Sequence, residues 1–164
     1  MEKIKDGSGR GLIRIAIVGP ESTGKSVLSE QLAKHYDTEF VKEVAREFIA
    51  KLNRKYTIDD IIKISQLQIT EENAKAGRAN KILFCDTNLL VTKIWAEHSF
   101  GVCPEWIFQN FHPGNYDLHL LTGIDLPWEP DPQREHPHLR KQFFDLYKSS
   151  LTSLNVPFSI VNGS

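Results

Sequence analysis

An α/β sandwich, a five-stranded parallel sheet flanked by helices, is the fold class that the sequence predicts, on three observations. Short apolar, β-branched runs alternate with stretches of helical periodicity. The first run, LIRIAIV (Leu12 to Val18), passes straight into a glycine-rich turn, GPESTGKS (Gly19 to Ser26), that leads into a helical stretch. And 164 residues suffice for one compact domain with a core but not for two ordinary ones.

The elements follow in order. LIRIAIV has the composition of a strand buried on both faces. Ser26 to Tyr36 carries Val27, Leu28, Leu32 and Tyr36 at helical spacing, and TEFVK (Thr38 to Lys42) predicts a second strand ended by Glu43. Thr57 with Asp60 after it resembles a helix start, Ile58, Ile61 and Ile62 share a face, and Gly77 is a stop, so one long helix is expected over Thr57 to Ala76. KILFCD (Lys81 to Asp86) predicts the third strand, NLLVTKIWAEHSF a further helix, and YDLHLLT (Tyr116 to Thr122) the fourth strand. Four prolines among the fifteen residues Gly123 to Pro137 exclude a helix interior or a central strand there and predict a structured loop. His138 to Leu154 is amphipathic through Leu139, Phe143, Leu146 and Leu151, and VPFSIV (Val156 to Val161) is the fifth strand. The expected organisation is a flexible leader over 1–11 and a single domain over 12–164.

Composition narrows the ligand. With 25% charged residues and a formal net charge of −1, nothing favours a nucleic-acid backbone or an acidic membrane surface, so the expected partner is a small molecule. Cys85 and Cys103 lack metal-type spacing and suit reduced thiols, and no apolar run is long enough to span a bilayer, so a cytoplasmic location is expected. His136 and His138 flank Pro137 with no third ligand nearby, which argues against a metal pair.

GPESTGKS satisfies G-x-x-x-x-G-K-[ST] at Gly19, Gly24, Lys25 and Ser26, between a buried strand and a helix, where free N–H groups and the positive helix end face an anion. The whole loop, Gly19, Pro20, Glu21, Ser22, Thr23, Gly24, Lys25, Ser26 and Val27, is therefore expected to hold ATP, with Lys25 at the outer phosphates and the Ser26 hydroxyl on Mg²⁺. The fold thus becomes that of a P-loop NTPase. No D-x-x-G follows the loop, and NKIL and TKIW lack the Asp of a guanine-reading motif, so GTP switching is disfavoured. Asp86 ends its strand where a magnesium-supporting carboxylate stands in P-loop proteins, although an Asp there can also merely cap the next helix. Glu43 and Arg46, one helical step apart, can both face the cleft or lie on a solvated helix face.

Together and in this order, GPESTGKS, KEVAREF, LFCDTNLLVTKIW, YDLHLLT and DLPWEPDPQREHP resemble the ribosylnicotinamide kinase domain of the NadR family, from Ile15 to about Gly163. The resemblance implies a nucleoside-kinase-like fold with a lid loop and phosphorylation of nicotinamide riboside, or a similar nucleoside, by ATP and Mg²⁺. It implies catalytic roles for Lys25, Glu43, Asp86 and Arg134, a metal site at Ser26 and Asp86, and an ATP contact from Arg140. Acceptor contacts would come from Glu43, Arg46, Asn88 and Trp128, though Trp128 can equally pack beneath the lid. Asn88 stands where a second acid is expected, in Asp-Thr-Asp, and an amide cannot act as a base. Relatives continue past the fifth strand with a helix, so the expected domain lacks its last helix, and no H-x-G-H adenylyltransferase signature occurs. An ATP-binding regulatory module without kinase activity, or a kinase for another nucleoside or a vitamin alcohol, remains an alternative reading of the same residues.

Overall fold

A computed structural model describes residues 11–20, 23–124 and 139–162. Strand β1 (Ile13–Val18) leads to helix α1 (Lys25–His35), β2 (Phe40–Val41), α2 (Val44–Ala50) and α3 (Ile58–Ala76). Then come β3 (Ile82–Asp86), α4 (Leu89–Phe100), α5 (Glu105–Asn110), a 3₁₀ turn (Pro113–Asn115), β4 (Leu118–Thr122), α6 (Arg140–Ser153) and β5 (Phe158–Val161). The strands form one sheet in the order β2-β3-β1-β4-β5, with every neighbouring pair parallel. The expected five-stranded parallel α/β fold is the observed one.

The alternation along β1 divides the core between two faces. Ala16 and Val18 join Leu90, Ile94, Tyr147 and Leu151, so α4 and α6 cover one face. Ile17 joins Phe84 and Ala33, with Leu28 and Leu32 packed against them, so α1 covers the other. The end of α3 reaches the first face through Ala76, beside Leu83, Cys85 and Val41.

Two short elements escaped the sequence reading. Helix α2 has seven residues and no side-chain cap, and α5 has six, so neither is long enough to display a stripe of its own. Strand β2 is also shorter than TEFVK suggested, and Glu43 lies beyond it, at the N-cap of α2. Side chains replace the ladder on both sides of β2. Before it, the Thr38 hydroxyl donates to the Ile82 carbonyl (2.6 Å) and accepts from the Asn80 N–H (2.7 Å). After it, the Gln68 amide donates to the Lys42 carbonyl (3.0 Å) and accepts from the Val44 N–H (2.9 Å).

Helix α3 begins as its sequence predicted, with Thr57 and Asp60 forming a reciprocal capping box. Its buried face is unusual in being polar at Asp60, Ser65, Gln68 and Glu72. A fork from the Arg54 guanidinium (2.6 and 3.1 Å), with the Thr57 N–H behind it, holds the Asp60 carboxyl well below the usual carboxylate range. Glu72 accepts from the Arg14 guanidinium of β1 (2.5 Å) and from the Tyr116 hydroxyl ahead of β4 (2.7 Å). Both members of the Arg14–Glu72 pair are largely shielded from water, so removing one leaves the other charge buried alone. Glu72→Leu is expected to lower the stability of the fold by about 3–5 kcal/mol, read as an earlier urea midpoint with an unchanged slope.

Candidate active site

The nucleotide loop is built where β1 stops. Gly19 has φ 148°, and a Cβ placed on it would lie 2.3 Å from the Thr122 hydroxyl at the end of β4. Only glycine lets the loop pass so close to the neighbouring strand. Gly24 then adopts φ 82°, in the left-handed region, and turns the chain into α1. The first N–H groups of α1 lack partners within the helix, so the helix presents donors and a positive dipole end at the loop. Between the glycines, the Thr23 hydroxyl donates to the Pro20 carbonyl (2.7 Å) and lies 2.6 Å from the Thr122 hydroxyl, which also reaches the Val18 carbonyl (3.3 Å). Thr122 was not singled out from the sequence. Only the strand order puts it beside the loop.

Lys25 Nζ lies over the same loop, donating to the Pro20 carbonyl at 3.2 Å. Ser26 Oγ donates to Asp86 Oδ2 at 2.7 Å, joining the start of α1 to the end of β3. Asp86 is 1% exposed. Burial pushes its carboxyl up from the ordinary 3.8 to about 6, and the negative charge of Glu43 adds to the rise, while Lys25 and the Ser26 and Thr87 hydroxyls oppose it. Glu43, half-buried, is therefore within electrostatic reach of Asp86. Arg46 is exposed in the first turn of α2, and Val27 is exposed on α1.

The turn after Asp86 is strained. Thr87, a buried β-branched residue, has φ 85°, a conformation costing on the order of 1–3 kcal/mol. Its N–H donates to the Ile17 carbonyl (2.9 Å), while Asn88 caps α4 by accepting the Leu90 N–H (3.0 Å). The Asn88 Nδ2 faces His119 Nε2 of β4 at 3.0 Å. Burial lowers the pKa of His119 to about 4, so near neutral pH its Nε2 accepts and Nδ1 carries the hydrogen. Asn88 is thus 1% exposed with both ends of its amide engaged internally, rather than facing an acceptor as expected. Arg140, expected at ATP, donates from Nη2 to the Ile124 carbonyl (2.9 Å) and so ties the first turn of α6 to the chain leaving β4. Glu21, Ser22, Trp128, Arg134 and His136, the lid loop over 125–138 and most of the leader lie outside the described residues.

The donor set suits Mg²⁺. Ser26 and Asp86 offer hard oxygen ligands, and among the described residues no cluster of three His, Cys, Asp or Glu side chains could cage a metal alone. Magnesium is commonly held by one or two protein oxygens together with substrate phosphates, and these residues match that pattern. Also among the described residues, no helix is long and apolar enough to cross a membrane.

A buried carboxylate held for a ligand weakens the ligand-free fold. Because the folded pKa of Asp86 lies above its unfolded value, the contribution of this one group to stability is greatest below about pH 4 and is lost as the pH rises through about 6. Asp86→Asn removes that loss. The metal-free variant is expected to be more stable than wild type at about pH 8, by roughly 2–3 kcal/mol, with the difference closing as the pH falls towards about 4. Thermal melts of both proteins across this range, with EDTA present, provide the check.

Comparison with known proteins agrees with this geometry. Residues 14–164 match the AAA domain family. The trifunctional NAD biosynthesis/regulator protein NadR of Salmonella typhimurium, like that of Escherichia coli, is 27% identical over 152 residues, covering 88% of this chain. The chain spans 37% of the length of these curated relatives. Crystal structures of NadR in complex with NR and with NAD and AMP-PNP have TM-scores of 0.73 and 0.72 at 22% identity, covering 91% and 93% of this chain and 45% and 44% of those chains. Deoxyadenosine kinase from M. mycoides shares the fold at a TM-score of 0.58 and 18% identity, over 91% of this chain and 90% of that one. The resemblance to NadR carried by the motifs is borne out, and with a match from β1 to the end of the sequence the chain belongs to the AAA domain family.

Proposed function

We propose that the chain is an ATP-dependent kinase that phosphorylates nicotinamide riboside to nicotinamide mononucleotide, acting in NAD salvage in the cytoplasm. The observation that carries the phosphotransferase reading is the 2.7 Å link from Ser26 to Asp86, with the charge of Glu43 felt at Asp86. It sets the start of α1, beside the glycine loop, against one buried carboxyl with a second carboxylate within electrostatic reach, which supports this reading. The choice of riboside rests on the likeness to NadR, which has been crystallised with NR.

In this mechanism the loop N–H groups and the start of α1 hold the phosphates, and Lys25 turns from the Pro20 carbonyl to the outer ones. Ser26 and Asp86 would hold Mg²⁺, whose chemistry is to neutralise charge on the phosphate oxygens. Glu43 accepts the proton of the acceptor hydroxyl as that oxygen bonds to the γ-phosphorus and the bond to the β,γ-bridging oxygen breaks, releasing ADP. Arg46 and Trp128 contribute to the acceptor side. Arg134 spreads charge in the transition state, and Arg140 fastens the base of the segment that carries it. Catalysis is then mainly positioning and electrostatics.

The test is incubation with Mg-ATP and a panel of nucleosides, with products read by mass. Nicotinamide riboside is expected to give its 5′-phosphate together with ADP. ADP released at one rate with or without any nucleoside would identify an ATP-hydrolysing module instead. Lys25→Ala removes a charge-assisted phosphate contact worth about 1.5–3 kcal/mol, so calorimetric titration is expected to show ATP binding weakened roughly ten- to a hundredfold.

A further inference from the structure

The segment that carries Glu43 leaves the sheet one residue after β2, yet its backbone is fixed. Register between β2 and β3 ends at Val41 opposite Cys85, and α2 begins at Val44. Glu43 between them is extended, at φ −69° and ψ 107°. In a parallel ladder, one residue of a strand bonds the carbonyl before and the N–H after the residue it faces. The Gln68 side chain does the same from α3, donating to the Lys42 carbonyl at 3.0 Å and accepting from the Val44 N–H at 2.9 Å. Its amide replaces a strand neighbour for Glu43 alone.

We propose that Gln68 is a positioning residue, whose side-chain amide pins the peptide groups on either side of Glu43 and so aims the Glu43 carboxylate at the acceptor side of the nucleotide loop. Two features show that the amide is committed to this contact. Gln68 is 2% exposed, so neither of these bonds is exchanged readily with water, and it sits on the buried face of α3 between Ser65 and Glu72. A buried leucine there would satisfy packing as well. An amide, with one donor and one acceptor on a planar group, matches the two backbone groups flanking Glu43. Among the described residues the hydrogen bonds of Gln68 go to the backbone flanking Glu43 and to neither the loop nor Asp86, so its influence on the reaction passes through Glu43.

The catalytic part of this inference rests on the kinase reading, so the test has one arm that needs no reaction. In the first arm, amide hydrogen exchange of Val44 is followed in wild type and in Gln68→Leu. The Val44 amide is expected to exchange at least tenfold faster in the variant, with amides of β1 and β3 unchanged; equal protection in both proteins overturns the proposal whatever the reaction. In the second arm, Gln68→Leu is combined with Glu43→Gln in the phosphoryl-transfer assay. Alone, Gln68→Leu is expected to lower kcat at least tenfold with the KM for ATP within twofold, and in the Glu43→Gln background to lower it less than twofold. An equal loss in both backgrounds would reduce Gln68 to general packing and sink the proposal, as would no loss in either. If wild type phosphorylates no nucleoside, the kinase reading fails, and faster Val44 exchange then supports the backbone pinning by itself. Should Gln68→Leu not fold, Gln68→Met, which keeps the side-chain length but lacks both amide groups, is put through both arms.

Discussion

The hydrogen-bonded position of β1 between β3 and β4 is the constraint on which the rest of the site depends. Parallel pairing on both sides brings three chain positions far apart in sequence to one end of the sheet. Val18 runs into the glycine loop, β3 delivers Asp86 to Ser26, and β4 delivers Thr122 to Gly19 and Thr23. Each contact is short because the strands are held at ladder spacing. None of these residues needs a long side chain to meet the others.

Helix α3 supplies a second kind of order. Its buried face carries polar groups at helical spacing; Ser65 bonds back to the helix itself, and the other three are each answered by a different part of the chain. Asp60 takes Arg54, Gln68 takes the exit of β2, and Glu72 takes β1 and the approach to β4. Satisfied in this way, buried polar groups fix register as well as contributing contact. Burial also pushes the Cys85 thiol and the Tyr116 phenol upward, with Glu72 as the next cause in both, so these groups stay protonated beside that carboxylate.

The long-periodicity elements were legible in the sequence, and so was the loop. Five apolar runs, the capped start of α3 and GPESTGKS sufficed to state the fold and the place of the glycine loop in it. What could not be read depended on contacts between distant positions. Thr122 and Gln68 have ordinary side chains in ordinary local patterns, and only the strand order and the depth of α3 give them partners. Asn88 shows the opposite case. Its place next to Asp86-Thr87 suggested a ligand contact, but the strained turn rotates it inwards to cap α4 and meet His119. Short helices such as α2 and α5 are set by packing rather than by a pattern of their own.

The way β2 is tethered also bears on how such a site can diverge. On the loop side, position is written mainly into backbone pairing, so single substitutions other than at Gly19 and Gly24 leave it where it is. On the other side, the backbone around Glu43 is tied by one side chain, and Thr38 does the same for the start of the strand. One codon change at either position re-aims a few residues without unzipping a strand. A descendant of this chain can therefore retune the half of its cleft beside Glu43 while inheriting the phosphate half intact, which makes the short second strand the natural place for variation to accumulate.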